Sequence, residues 1–375
     1  MGTDIKILPL NDWLATGKQP LIIAGPCSAE NEEQLMRTAR EIATIPQVKI
    51  FRAGLWKPRT RPGEFEGVGE EGLKWMVKAR KETGLKICVE VASPKHVELA
   101  LKYEVDMVWI GARTVGNPFS VSEIANAFSG HDIPVMVKNP VSPDLKLWIG
   151  AIERIHEKGI NRIIAIHRGF HYFEKSPYRN APMWEIPIEL KRLAPDLPII
   201  VDPSHICGRR DLLEQISQRA LDLEMDGLMI ETHFDPSIAL TDAAQQVTPA
   251  SLKHLLNNLV VRDKTGNIDF QNKLETLRTE IDKLDGELLQ ILAKRLDIID
   301  EIGEYKKEND ITILQMKRWA GIIEDRMAIG TNLGLEENFL KQLLQLIHEE
   351  SILRQTEIFG GRRKLEEGRH NAEAG

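Results

Sequence analysis

Short apolar, β-branched runs recur along residues 1–262, with helical patterns between most of them. The runs are Leu21–Ala24, Val48–Arg52, Lys86–Val91, Met107–Ile110, Pro134–Val137, Arg162–Ile166, Pro198–Val201 and Gly227–Ile230. Alternation of strand and helix signals predicts parallel strands joined by crossovers. Strands this continuously apolar must be covered on both faces. Eight such units in ~250 residues predict an α/β TIM (β/α)8 barrel over residues 1–262. The GxGxxG fingerprint of doubly wound dinucleotide folds is absent. Thr248-Pro249 supplies an N-cap and a first-turn proline for a last barrel helix reaching about Val261.

Beyond Arg262 the period changes. Residues 263–269 are polar and turn-rich and read as a linker. From Asn272, Leu274, Leu277, Ile281, Leu284, Leu288, Ile291, Leu292, Leu296, Ile299 and Ile302 keep a three-four spacing without proline. This predicts a helix over about 270–307, longer than the usual ~8–20 residues of globular helices, and hence a bundle or coiled coil. Two further helices are expected, at about 315–329 and 336–359. They complete an all-α three-helix domain over 270–359. The charged segment 360–375 lacks an apolar pattern, so disorder is expected there.

The 375-residue chain is 42% apolar and 28% charged, which excludes collagen-like and largely disordered classes. A net charge of −7 argues against a nucleic-acid partner. Cys27, Cys88 and Cys207 show no CxxC spacing, so a reducing compartment is expected. Charges in the first twenty residues leave no signal-peptide core, and no ~18-residue apolar run spans a membrane. A cytoplasmic location without membrane contact follows as the expectation.

Active sites of parallel barrels lie at the C-terminal strand ends. Two chemical sets stand there. Arg52, Lys57, Arg59, Arg113, Lys138 and Arg168 are cationic and would focus positive potential on one mouth, suited to phosphates and carboxylates. Cys27, His205, Glu231 and Asp242 offer sulfur, nitrogen and oxygen donors. Such a mixed set suits Mn, Fe, Co or Zn better than Mg or Ca. Taken singly, a strand-end cysteine is more often a small buried residue, and a lone histidine a hydrogen-bonded structural group. No HExxH-type motif supports the donor set.

The segments IAGPCSAE (23–30), FRAGLWKPRT (51–60), IGART (110–114), VMVKNP (135–140), HRG (167–169), VDPSH (201–205) and ETH (231–233) resemble 3-deoxy-D-arabino-heptulosonate 7-phosphate (DAHP) synthases of the shorter type, related to octulosonate-phosphate synthases. The resemblance implies condensation of phosphoenolpyruvate with erythrose 4-phosphate. It implies a divalent metal, Mn2+ first with Fe, Co or Zn as alternatives, held by Cys27, His205, Glu231 and Asp242, with His205 neutral. Arg52, Lys57, Arg113, Lys138 and Arg168 would hold phosphoenolpyruvate. Arg59 and Thr60 would hold the aldose phosphate, and Asp202 an aldose hydroxyl or a water. Lys138 is the expected proton-handling group, because a lysine among cations can have a lowered pKa. Octulosonate 8-phosphate synthases carry an Ala-Asn-Ser-type motif where this chain has KPRT, which favours the four-carbon aldose. Some of them carry Asn in place of the cysteine and need no metal. A sialate-type synthase is a further alternative for the barrel.

In the helical region Arg295 and Lys306 are eleven apart, within roughly 20° on one face. Arg278 lies seventeen before Arg295 and faces elsewhere. LRTEIDKLDGELLQILAKRLDIIDEIGEYK (277–306), Arg318 and SILRQ (351–355) resemble the all-helical chorismate mutases. That family implies an intertwined homodimer in which the partner donates Arg278, while Arg295, Lys306, Arg318, Ser351 and Gln355 come from the other chain. Chorismate would rearrange to prephenate. Trp319 stands where the family usually has an acidic residue, and Gln315 where it often has Asp. A regulatory and dimerisation module without catalysis is therefore the alternative for this region. Together the two resemblances imply a bifunctional shikimate-pathway enzyme, homodimeric or of higher order, with feedback on the barrel by chorismate or prephenate.

Overall fold

The structure is a computed structural model. It describes residues 5–14, 16–57, 63, 65–173, 175–262, 268–314 and 316–360, with only the backbone at 268, 269 and 316–320. Arg59, Thr60, Gln315, the side chains of Arg318 and Trp319, the linker core 263–267 and the tail 361–375 thus lie outside the described residues. The chain divides into two compact units, Met1–Lys264 and Thr265–Gly375.

The first unit is a closed parallel barrel of β1 (Leu21–Gly25), β2 (Val48–Ala53), β3 (Lys86–Val91), β4 (Met107–Ile110), β5 (Val135–Lys138), β6 (Ile163–His167), β7 (Ile199–Val201) and β8 (Gly227–Glu231). Strand order follows chain order, and β8 pairs back onto β1. Pro134 and Pro198 fall one residue outside the strands expected to contain them. Each lacks an N–H for the ladder but still accepts through its carbonyl, from Val108 N and Ala165 N respectively.

The helices of this unit are α1 (Leu10–Trp13), α2 (Glu32–Ala43), α3 (Glu70–Thr83), α4 (Pro94–Lys102), α5 (Ala112–Val115), α6 (Pro118–Ala127), α7 (Leu145–His156), α8 (Glu185–Leu193), α9 (Pro203–Cys207), α10 (Leu213–Asp222) and α11 (Pro249–Asn258). Asn31, Asp144 and Thr248 cap their helices by accepting from backbone N–H groups three residues on. The last of these helices ends at Asn258 rather than near Val261. Leu259 turns extended, and Val260 N donates to Gln218 Oε1 at 2.8 Å instead of continuing the helical ladder.

Alternate strand residues divide into two clusters, as the period of two requires. Ile22, Ala24, Phe51, Val89, Val108, Val137, Ala165 and Val201 pack with helix residues. Ile23, Ile50, Cys88, Trp109, Met136, Ile164, Ile200 and Met229 pack with one another inside the barrel. Leu14 joins this inner cluster with Leu10 and Trp13 packed against it, so α1 closes the N-terminal end. On five strands the next residue of inner parity is charged. It is Arg52 on β2, Glu90 on β3, Lys138 on β5, Asp202 just past β7 and Glu231 on β8. These polar groups therefore project into the open C-terminal mouth. Gly25 permits the close approach of β2, since a Cβ there would lie 2.0 Å from the Arg52 carbonyl oxygen.

The second unit holds α12 (Ile268–Glu308), α13 (Met316–Asn332) and α14 (Glu337–Phe359). Glu336 caps the last of these by accepting from Phe339 N. The helix α14 packs on both α12 and α13 and buries Leu340, Ser351, Gln355 and Ile358. On α12, Leu277, Ile281, Leu284, Leu288 and Ile291 form a stripe that remains 46–62% exposed.

Candidate active sites

The mouth of the barrel holds a cavity of about 270 Å³. Arg52, Lys57, Arg113, Lys138 and Arg168 line it beside Cys27, His205 and Asp242, together with Glu90, Arg179 and Asn180. Among the described residues, ligand atoms of Cys27, Glu231 and Asp242 lie within 4.8 Å of one another.

Cys27 Sγ donates to Asp242 Oδ2 at 3.4 Å and accepts from Lys57 Nζ at 3.1 Å. Burial, reinforced by Glu231, pushes its thiol up to about 12. Burial alone would lower the pKa of Lys57, yet the neighbouring Cys27 and Glu90 hold it above the usual lysine value. His205 stands beside this cluster. Its Nε2 is 3.9 Å from Glu231 Oε1, and its Nδ1 is 2.8 Å from Asp202 Oδ2, an ion-pair distance without hydrogen-bond alignment. The sulfur and two carboxylates form a compact donor set, and the His205 imidazole borders it. This fits a borderline divalent ion, which favours mixed sulfur, nitrogen and oxygen donors.

Arg52 is 1% exposed and donates to Glu231 Oε1 at 3.2 Å and to the Cys27 carbonyl at 3.0 Å. Its guanidinium also lies over the Trp109 ring, 4.7 Å from the centroid. Lys138 was expected among cations, but Asp202 meets it directly: Nζ donates to Oδ2 at 2.8 Å. Asp202 also caps α9, accepting from His205 N at 3.0 Å. Burial would favour its neutral form; His205 and Lys138 overcome this and hold it well below the usual carboxylate range. Arg168 donates to Asn180 Oδ1 at 2.8 Å, and burial draws its pKa down to about 10, which leaves it charged at neutral pH. His167, next to it, has the opposite parity. It faces outward against Trp148, Phe170 and Trp184.

Strand-end reasoning missed Arg179, Asn180 and Gln245. They lie in loops, and their partners are remote in sequence: Gln245 Nε2 donates to Glu231 Oε2 at 2.7 Å, and Asn180 Nδ2 to the His205 carbonyl at 2.6 Å. Glu90 carried a readable signal, since it has inner parity at a strand end.

In the helical unit Arg295 Nη1 donates to Ser351 Oγ at 2.9 Å, and Gln355 Nε2 donates to the Ser351 carbonyl at 3.1 Å. Gln355 Oε1 is buried and has no partner among the described residues. Burial, with Arg326 nearby, lowers the Arg295 pKa, and burial lowers that of Lys306. Lys306 Nζ donates to the Ile313 carbonyl at 2.5 Å. Arg278 stays apart. Its side chain is 62% exposed and 3.6 Å from Glu275, and seventeen residues of helix separate it from Arg295 by roughly 25 Å.

Comparison with known proteins places the two regions in known families. Residues 10–265 match the DAHP synthetase I family and residues 277–356 match chorismate mutase type II. Phospho-2-dehydro-3-deoxyheptonate aldolase of Thermotoga maritima is 34% identical over 238 residues, covering 64% of this chain and 68% of that protein. The 2-dehydro-3-deoxyphosphooctonate aldolase of Geotalea daltonii is 29% identical over 280 residues, 69% of this chain and 98% of that one. The crystal structure of the Thermotoga maritima DAHP synthase superposes with a TM-score of 0.57 at 33% identity, covering 63% of this chain and 67% of that chain.

Proposed function

The chain belongs to the DAHP synthetase I family and carries a chorismate mutase type II region, a bifunctional enzyme of aromatic biosynthesis, and from that footing we propose its substrates and residue roles. The barrel condenses phosphoenolpyruvate with erythrose 4-phosphate: C3 of phosphoenolpyruvate bonds to the aldehyde carbon, water adds to C2 and phosphate leaves. The helical unit rearranges chorismate to prephenate. One observation carries the first reading: five cationic side chains line a single cavity with Cys27 and Asp242, whose ligand atoms lie within 4.8 Å of each other and of Glu231's.

Phosphoenolpyruvate brings a carboxylate and a phosphate, which fixed cations bind strongly. Arg52, Lys57, Arg113, Lys138 and Arg168 hold it. Arg52 is anchored by Glu231 and Cys27, and Arg168 by Asn180, so both are oriented before substrate arrives. Arg59 and Thr60 hold the aldose phosphate. Cys27, Glu231, Asp242 and His205 would hold Mn2+, or Fe, Co or Zn. Such an ion, when bound, supplies Lewis-acid polarisation of the aldehyde oxygen. Lys138 Nζ, steered by Asp202, gives a proton to the aldehyde oxygen as the carbon–carbon bond forms and takes one from the water that adds to C2 before phosphate leaves.

In the helical unit Arg295 binds a carboxylate of chorismate together with Arg318 and Ser351. Lys306 and Gln355 meet the ether oxygen as its charge grows. Gln355 Nε2 carries two N–H groups; one meets the Ser351 carbonyl, and the other would donate to the ether oxygen. Arg278 comes from a second copy, which also covers the exposed stripe of α12. Chorismate or prephenate bound here feeds back on the barrel, with a coupling of ~1–3 kcal/mol. A cytoplasmic location is part of the same proposal; no helix among the described residues is long and apolar enough to cross a membrane.

The test is product formation from phosphoenolpyruvate with four- and five-carbon aldose phosphates, beside chorismate consumption by the same chain. Turnover only with the five-carbon sugar overturns the synthase reading. No chorismate turnover at saturation favours the regulatory module that Trp319 suggests.

A further inference from the structure

Arg179 lies outside every strand end, yet it reaches the candidate ion site by two routes. Its Nη1 donates to Asp242 Oδ1 at 2.9 Å and to Gln245 Oε1 at 2.8 Å. Gln245 is buried, and its Nε2 passes on to Glu231 Oε2 at 2.7 Å. We propose that Arg179 is a positioning residue for the divalent ion, setting the orientation of two of its carboxylate ligands through Asp242 and Gln245. The inference rests on the reading that Cys27, Glu231 and Asp242 hold that ion.

Three observations support a built arrangement rather than a chance rim contact. First, Asp242 has a backbone φ of +46°, in the left-handed region that few residues besides glycine, asparagine and aspartate adopt, so a specific turn sets where its side chain points. Holding Oδ1 leaves Oδ2 as the oxygen facing Cys27 Sγ, 3.4 Å away. Second, the backbone beneath Arg179 is fixed to the helix that carries His205. Arg179 N donates to the Cys207 carbonyl at 3.3 Å and Asn180 N to the Ile206 carbonyl at 3.1 Å. Gly208 makes room for this crossing, since a Cβ there would stand 2.5 Å from Arg179 Cβ. Third, the link to Glu231 runs through a fully buried amide, where a donor is not easily replaced by water. An isolated pair as exposed as Arg179 and Asp242, 48% and 25%, would contribute little alone.

The sign of the effect is diagnostic. A cation near a metal site repels the incoming ion, whereas a group that aims its ligands strengthens binding. Orientation by outer-shell partners commonly changes metal affinity 10–100-fold. The test is a Mn2+ titration of the full chain, stripped with chelator, read by loss of the free-ion paramagnetic resonance signal. The wild type should bind one Mn2+, and Cys27→Ser should bind it at least ~10-fold more weakly. Failure of either step overturns the ion site itself. Given that site, Arg179→Ala should weaken Mn2+ binding about 10–100-fold while its unfolding midpoint in chelator stays at the wild-type value. Gln245→Leu should weaken it as well, and the double variant should fall short of the product of the two. The visible absorption of bound Co2+ should shift in Arg179→Ala, reporting an altered ligand geometry. Unchanged or tighter Mn2+ binding in Arg179→Ala overturns the proposal while leaving the site intact. Should that variant not fold, Arg179→Lys and Gln245→Leu decide it, and unchanged affinity in both overturns it.

Discussion

Lys138 Nζ and Asp202 Oδ2 meet at 2.8 Å inside the barrel mouth, reaching across β6 from the ends of β5 and β7. Their side chains are 6% and 0% exposed. Removing one member of a buried pair strands the other charge and typically costs ~3–5 kcal/mol. Lys138→Met should therefore lower the unfolding midpoint markedly. The combined Lys138→Met and Asp202→Asn change should recover much of that loss. Synthase turnover should stay down by about 10²–10⁴ in both, as expected when a proton-transferring group is removed. Thermal unfolding with a phosphate-release assay checks it. Wild-type turnover in either variant refutes the role given to Lys138.

Metal dependence is the second expectation. Stripping with chelator should abolish condensation, and Mn2+ should restore it. Cys27→Ser should lose at least ~10-fold in metal affinity, because a thiolate suits a borderline ion better than a hydroxyl. Chorismate consumption should not change under chelator, since a pericyclic shift needs shape and charge rather than a Lewis acid. Full condensation in chelator without bound metal sinks the assignment.

The reason the mouth was readable and its support was not lies in periodicity. Arg52, Lys138, Asp202 and Glu231 follow inner-facing Ile50, Met136, Ile200 and Met229 by two residues, so the strand period carries them to the same place. The closed barrel follows from the same alternation. Arg179 and Asp242 are 63 residues apart in loops, where no period relates one position to another. The pairing of Lys138 with Asp202 was equally invisible, because a strand-end lysine reveals its strand but not its neighbour. The extent of the last barrel helix depended on Gln218, a residue of another helix, claiming the Val260 N–H.

Arg59 should discriminate between the two anions. Arg59→Ala should raise KM for the aldose phosphate ~10-fold or more, as for a lost charge-assisted contact, and change KM for phosphoenolpyruvate less. The reverse order would mean the two anion sites are exchanged.

His167 gives a prediction about acid stability. Burial among Trp148, Phe170 and Trp184 lowers its pKa from 6.5 to about 3. Between those values the unfolded chain binds a proton that the native barrel refuses, so stability falls as pH drops through that window. The slope from this group is at most about 1.4 kcal/mol per pH unit. Above pH 6.5 the imidazole is neutral in both states and contributes no slope. His167→Leu should flatten the acid limb without altering stability's dependence on pH above neutrality. Urea unfolding at pH 4.5 and 7.5 measures this, and equal acid sensitivity in the two proteins refutes it.

The remaining prediction concerns Arg278. Within one chain it lies roughly 25 Å along the helix from Arg295, so a site that needs both must draw them from two copies. The exposed stripe from Leu277 to Ile291 is where those copies would meet. Leu284→Asp together with Leu288→Asp should then yield monomers by sedimentation and lose chorismate turnover, although neither side chain carries the chemistry. Complementation is the sharper measurement. Arg278→Ala and Arg295→Ala should each be inactive alone, since every site lacks one arginine. In a mixed dimer one site carries both alanines and the other carries both arginines. Random mixing makes half the dimers mixed and restores half the sites in each, so about a quarter of wild-type turnover should return. Unfolding and refolding the two variants together gives the exchange. No recovery in verified mixed dimers would place Arg278 outside the site, and activity in Arg278→Ala alone would do the same.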